Sequence, residues 1–238
     1  LMNYYTSTKI LKRPEYWPAD YHIVGKGINW FHSVIWPSLL MALDLETPKS
    51  IFVHSHLIVN GQKMGKSLGN VISPKELIDD YGIDGTRYLL AATIPFLQDS
   101  DVSMDLYKNK YSYALRNGIG NTLSRLTKLA NTHNLELQYD ISFADVKDNF
   151  PEIGNYYQGF EFNKVVDLSE SLLNQLSQYI NENTPWSKEP IEAVEIIKKS
   201  TYDLLVISTI LKPIMPETHL KIKQALNGKI LPSAPLFN

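Results

Sequence analysis

From about Leu106 onward the apolar positions recur at helical spacing. Leu115, Ile119, Leu123, Leu126 and Ala130 make one stripe, Val165, Leu168, Leu172, Leu176 and Tyr179 a second, and Ile196, Ile197, Leu204, Ile207 and Leu211 a third. Three stripes of this kind bury one another as a helical bundle. Pro213 and Pro216 stop the third helix, a last short helix runs to Leu226, and Asn227-Gly228 supplies its C-cap.

The chain before that point has a different rhythm. Tyr21-His22-Ile23-Val24 is a short β-prone run that stops at Gly25-Lys26-Gly27, after which Ile28, Phe31, Val34, Ile35, Leu39 and Leu40 return at helical spacing. Pro37 should kink that helix, because proline has no amide proton and crowds the preceding turn. Ser50 to His54 supplies a second strand, so residues 21–54 have the order and length of one βαβ unit with parallel strands, and ligands bind at the C-terminal ends of such strands. Leu57 to Met64 then reads as a hairpin turning at Asn60-Gly61, the pair preferred in a two-residue type I′ turn. A polar loop covers Gly65 to Asn70; Ser73-Pro74 starts a short helix that ends at Gly82, and residues 84–93 form another. The expected fold class is α/β followed by all-α, with the boundary near residues 95–107, which gives domains 1–100 and 101–238. The opening Leu1-Met2-Asn3-Tyr4-Tyr5 carries neither leader nor capping signal and reads as a cut made inside an element.

Composition narrows the function. The 238 residues are 44% hydrophobic and 11% aromatic, enough for a real core. A formal charge of −2 is not that of a protein coating nucleic acid through general basicity, so any RNA contact must be local. Cysteine is absent, which excludes disulfides and thiolate zinc sites within the chain and fits a reducing compartment. The apolar runs are too short to cross a bilayer, so a cytoplasmic location with no membrane partner is expected.

The sharpest chemical feature is Lys63-Met64-Gly65-Lys66-Ser67, two lysines three apart in a glycine-bearing loop after a strand. Such a loop can close over a triphosphate, each ammonium following the phosphate oxygens as charge moves toward the leaving pyrophosphate; a solvated surface turn is the other reading these five residues allow. Ile28, His32 and Trp36 stand one helical turn apart on one stripe at the mouth of the first strand, as a pocket wall or as core. His54 and His56 are expected on one face of a strand, but two neutral imidazoles without carboxylate or thiolate partners make a poor metal site, and no metal site is expected. Between Leu106 and Leu135 there are five basic residues and no acidic one. Asn121, Arg125 and Lys128 lie there opposite the 115/119/123/126/130 stripe, and Trp186 follows Pro185 outside any stripe. That is either a solvated face with a helix-end packing residue or a surface for an unpaired base.

The run Lys63 to Asn70, Lys-Met-Gly-Lys-Ser-Leu-Gly-Asn, resembles the Lys-Met-Ser-Lys-Ser loop of class I aminoacyl-tRNA synthetases with its Leu-Gly-Asn extension. Gly25-Lys26-Gly27-Ile28, Phe31-His32-Ser33, Trp36-Pro37, Asp79, Tyr81-Gly82, Asp84, Arg87-Tyr88 and Gln98-Asp99 are similar, in order, to segments of the methionyl-tRNA synthetases, over nearly the whole chain. The resemblance implies the second half of a Rossmann-type catalytic sheet joined to an anticodon-binding helical bundle. The implied reaction is activation of methionine by ATP, with its Mg²⁺, to methionyl-adenylate and transfer to tRNA(Met). Residue by residue it implies Lys66 on the triphosphate in the transition state, with Lys63 and Ser67 shaping the loop. It implies Gly25 and Lys26 against ATP, Tyr4, Ile28, His32 and Trp36 around methionine, and Asn121, Arg125 and Trp186 on the CAU anticodon. Gly65 stands where the family has serine, and Gly27 where it has aspartate. The His-Ile-Gly-His signature and the zinc-bearing insertion are not in these 238 residues, so the missing N-terminal half is an expected partner and the chain alone an inactive one. The alternatives are a non-catalytic tRNA-binding module, a subunit of a split enzyme, or a class I synthetase of the leucine, isoleucine and valine group.

Overall fold

In the computed structural model, which describes residues 1–59 and 61–237, the first of two units comprises Leu1–Met64 with Phe96–Asp101. Helix α1 (Asn3–Ile10) precedes strand β1 (Tyr21–Gly25). A π-helical turn, Phe31–Ile35, runs into α2 (Trp36–Ala42), and β2 (Ser50–His54) returns parallel to β1 in register from Tyr21 opposite Ser50 to Gly25 opposite His54. This is the expected βαβ unit. Pro37 sits in the first turn of α2, directly after the wider π turn, so its missing N–H and its ring are accommodated there.

The buried face of this helical segment is His32, Trp36 and Leu40; Phe31, Val34 and Leu39, expected in the apolar stripe, are exposed, as are Trp30 and Met41. On β1, His22 and Val24 are buried while Tyr21 and Ile23 face outward. Parallel sheets are ordinarily covered on both faces, and a helix apolar all round is ordinarily buried all round. Within this unit one side of each is left uncovered.

Strand β3 (Leu57–Val59) pairs antiparallel with β4 (Gln62–Lys63), Val59 opposite Gln62, which leaves a two-residue loop. Gly61 there has φ +72°, the left-handed conformation such a turn requires; Asn60, the other expected turn residue, lies outside the described residues. β3 also pairs parallel with β5 (Ser100–Asp101). His54 ends β2, while His56 stands in the link to β3, so the two histidines do not share a strand face as expected.

The second unit comprises Gly65–Pro95 with Val102–Asn238. α3 (Pro74–Thr93) is broken at Gly82, φ +71°, where the two expected short helices meet. Ser73 takes the extended N-cap conformation without a side-chain capping bond. α4 (Met104–Lys110) continues through a π segment, Tyr111–Gly120, into α5 (Asn121–Thr132), and Leu115, Ile119, Leu123, Leu126 and Ala130 are buried along it. Then come α6 (Phe143–Asn149), α7 (Glu152–Gln158), α8 (Phe162–Asn183), α9 (Pro190–Leu211) and α10 (Pro216–Ala225). A short antiparallel pair, β6 (Glu136–Leu137) with β7 (Gly228–Lys229), ties the end of the chain back. The α9 stripe is buried as expected. The α8 stripe is turned: Val165, Val166, Ser169, Leu173, Leu176 and Ile180 are buried, while Leu168, Leu172 and Tyr179 are half-buried at its edge. α8 packs against both α9 and α3, and the small Ser169 enters the core by donating to the Val165 carbonyl at 2.8 Å.

Residues 65–95 thus group with the helices rather than with the strands, unlike the sequence boundary near 95–107. The reason is polar as well as apolar. Arg87 donates to the Pro213 and Ile214 carbonyls at 2.8 and 2.7 Å, beyond the C-terminal end of α9, and Asp84 accepts from the Thr218 N–H at 2.6 Å in the first turn of α10. A cation at a helix C-terminus and a carboxylate at an N-terminus both complement the helix dipole. Tyr88 donates to Glu170, which also holds Lys110 at 2.7 Å. Asp84→Ala is expected to lower the stability of this unit by about 1–2 kcal/mol, the usual worth of a cap, read as a lower urea midpoint with an unchanged slope. An unmoved midpoint would contradict the clamp.

Candidate functional site

Three of the four expected pocket residues meet in the first unit. The Tyr4 hydroxyl lies 3.1 Å from His32 Nε2, and the Tyr4 ring stands 5.7 Å from His32 and 6.0 Å, edge-on, from Trp36. His32 Nδ1 is 2.9 Å from the Ile28 carbonyl, which can only accept. Nδ1 therefore carries a proton, and Nε2 shares the second hydrogen bond with the Tyr4 hydroxyl. Ile28 enters through that carbonyl, its side chain being 46% exposed. Tyr4, His32 and Trp36 thus form an aromatic cluster, a surface suited to a soft, polarisable side chain.

Two members were missed by the sequence. His22, inward on β1, accepts from the Trp36 indole N–H at 3.2 Å and lies 4.9 Å from the Tyr4 ring. Alternation along Tyr21-His22-Ile23-Val24 was the signal that could have found it. Trp17 stands 5.9 Å from Trp36 and 6.2 Å from His22, its indole donating to the Glu46 carbonyl. It arrives on an irregular segment and had no periodicity to betray it.

At the βα turn, Lys26 is paired with Asp99, its ammonium 2.6 Å from each carboxylate oxygen. Asp99 also accepts the His56 backbone N–H at 2.9 Å. The Lys26 hydrogen bond, then the His56 amide, holds the Asp99 carboxyl below its ordinary range. Burial, then the positive charges of Lys63 and Lys26, lowers the His56 imidazole. Two lysines, two histidines and one aspartate thus surround the turn. Neither glycine is dictated by space: a Cβ at Gly25 would meet His54 at 3.5 Å, and one at Gly27 would meet His56 at 3.7 Å, both ordinary contacts. Lys63 itself lies on β4, opposite Ile58.

In the second unit, Lys66 and Ser67 are exposed on a 3₁₀ turn, Lys66–Leu68, that ends at Gly69 with φ +66°. Asn70 closes the turn, its side-chain oxygen accepting the Gly65 N–H at 2.9 Å. Gly65 has an extended backbone, and a Cβ there would meet only Ser67 Oγ at 3.9 Å, so a serine would fit. On α5, Asn121 and Lys128 are exposed; Arg125 donates to Asn181 at 3.0 Å and lies 5.8 Å over the Trp186 ring. Trp186 is 54% exposed, a flat face steadied by a guanidinium.

Residues 1–127 match the protein family described as tRNA synthetases class I (M). A methionine–tRNA ligase of Caldanaerobacter subterraneus subsp. tengcongensis is 34% identical over 95% of this chain and 38% of its own length. One of Listeria innocua is 33% identical over 90% of this chain and 34% of its own. The chain therefore spans little more than a third of these relatives. The structure of Mycobacterium tuberculosis methionyl-tRNA synthetase in complex with methionyl-adenylate shares the fold, with a TM-score of 0.79 over 98% of this chain and 53% of that one at 24% identity.

The cluster should be sensitive to acid. Burial, then the nearby His32, lowers the His22 pKa from its ordinary 6.5. As pH falls the unfolded chain takes up that proton first, so the stability His22 contributes is fully present above about 6.5 and is lost toward the lowered folded value. The fall in urea midpoint between pH 7.5 and 5 is expected to be larger for the native sequence than for His22→Gln, which keeps an acceptor for Trp36. Equal falls would contradict a neutral, accepting His22.

Proposed function

The chain belongs to the class I (M) tRNA synthetases, and from that premise we propose that it is the part of a methionine–tRNA ligase that carries the lysine loop, one wall of the methionine pocket and the anticodon-reading helices. The observation that supports this most is the aromatic cluster in which Tyr4, His32 and Trp36 meet. The thioether of methionine packs on the rings of Tyr4, Trp36 and His32, beside Ile28. Residues 1–100 belong to the catalytic domain and residues 101–238 to the anticodon-binding domain.

In the reaction the methionine carboxylate attacks the α-phosphorus of ATP and pyrophosphate leaves; a ribose hydroxyl of tRNA(Met) then attacks the aminoacyl carbonyl and AMP leaves. Gly25 and Lys26 lie against ATP at the βα turn. Lys66 follows the triphosphate as negative charge builds on the pyrophosphate, with Lys63 and Ser67 holding the loop that carries it. Mg²⁺ comes with the ATP phosphates. No described helix is long and apolar enough to cross a membrane, and the absence of cysteine suits the cytoplasm, where we place the parent enzyme.

The uncovered apolar side of the first unit is where the rest of the catalytic sheet sits, the half that bears the His-Ile-Gly-His type signature. Ile23, Trp30 and Met41 are 58%, 66% and 71% exposed. Without that half the chain does not form adenylate.

The helical unit reads the anticodon: an unpaired base stacks on Trp186 while Asn121 and the Arg125 fork bond base edges.

In the full-length enzyme, Lys66→Ala is expected to lower the kcat of methionine-dependent ATP–pyrophosphate exchange by about 10²- to 10³-fold, the scale for losing one transition-state charge donor. A variant within about twofold of the native rate would remove Lys66 from the chemistry. Trp186→Ala is expected to weaken tRNA(Met) binding by about 1–3 kcal/mol in a filter assay, and an unchanged affinity would remove the stacking role.

A further inference from the structure

We propose that Asp99 is a positioning residue for the nucleotide: its carboxylate fixes the Lys26 ammonium at the βα turn and so sets where that charge meets the phosphates. The inference rests on the reading that Lys26 lies against ATP, and adds to it a residue and a means. A lysine ammonium is a point charge on a flexible four-carbon stem, and a charge that roams several rotamers must be ordered each time ligand binds. Asp99 does that ordering in advance, with both oxygens 2.6 Å from the Lys26 nitrogen. The carboxylate is itself anchored, because Oδ1 also accepts the His56 N–H at 2.9 Å.

The same short segment reaches the lysine loop. Two residues on, in β5, Asp101 accepts the Gly61 N–H at 2.9 Å, at the tip of the hairpin whose second strand carries Lys63. Residues 99–101 therefore hold the βα turn, the link at His56 and the hairpin together through two carboxylates. The Lys26–Asp99 pair is half exposed, at 45% and 38%, so its worth to stability is small and its effect is chiefly on where Lys26 points. Asp99 also acts on His56 with a sign opposite to that of Lys26 and Lys63.

Asp99→Asn separates the roles, since the amide oxygen can still accept from His56 while the charge is gone. In the full-length enzyme this variant should raise the KM for ATP in pyrophosphate exchange by roughly two- to fivefold, the scale of an exposed ion pair, with kcat little changed. Asp99→Glu should recover part of the loss. In a Lys26→Met background Asp99→Asn should have no further effect, because the residue it acts through is absent. The proposal is overturned if Lys26→Met raises the KM for ATP and Asp99→Asn does not, or if the two effects multiply. If Lys26→Met itself leaves that KM unchanged while Lys66→Ala abolishes exchange, the assignment of Lys26 to the nucleotide is wrong and the proposal goes with it, although the synthetase reading stands. Should Asp99→Asn lower the thermal unfolding midpoint, the same cycle run with Asp99→Glu reads the coupling in a folded background.

Discussion

Two buried imidazoles organise the first unit. His32 gives its Nδ1–H to the Ile28 carbonyl and bonds the Tyr4 hydroxyl through Nε2, and His22 can take the Trp36 indole proton only with a bare Nε2. These bonds orient the rings of the aromatic cluster. The hydrogen bonds run from the chain's first helix to the π turn and from α2 back to β1, so the pocket wall and the βαβ unit are one structure. A proton on His22 Nε2 would set donor against donor at the Trp36 indole.

The second unit depends on complementary helix ends. α3 carries Asp84 and Arg87 less than one turn apart, and these meet the start of α10 and the segment just past α9, where the backbone turns at Ile214 and Met215. The turn bearing Lys66 lies five residues before α3. Arg125, Asn181 and Trp186 use the same economy on the surface: a guanidinium held by an amide steadies an aromatic face that would otherwise swing freely.

Much of this was legible in the sequence because periodicity records burial. The α5 and α9 stripes, the βαβ unit and the break at Gly82 follow from spacing and from residues with special backbone needs. α8 was misread by part of a turn, since a helix packed on two neighbours buries a wider face than one stripe describes, and a small serine can lie in it. The helix after β1 was misread for the opposite reason: Phe31, Val34 and Leu39 have the apolar pattern of buried residues, yet the face they form is uncovered in this unit. Of the candidate site, spacing put Ile28, His32 and Trp36 on one side of a helix. Tyr4, Trp17 and His22 come from three other segments, and no local pattern joins them. The Lys26–Asp99 pair, 73 residues apart, is a fact of topology alone.

A cluster of rings and a turn where a lysine is held by an aspartate support the proposal that this chain is part of a methionine-activating enzyme. The most direct test of that claim is amino-acid-dependent ATP–pyrophosphate exchange by the full-length enzyme across the standard amino acids. Exchange supported by methionine, with leucine, isoleucine and valine at background, is the predicted result. Exchange driven as well by any of those branched residues, or by none of the amino acids, would contradict the account.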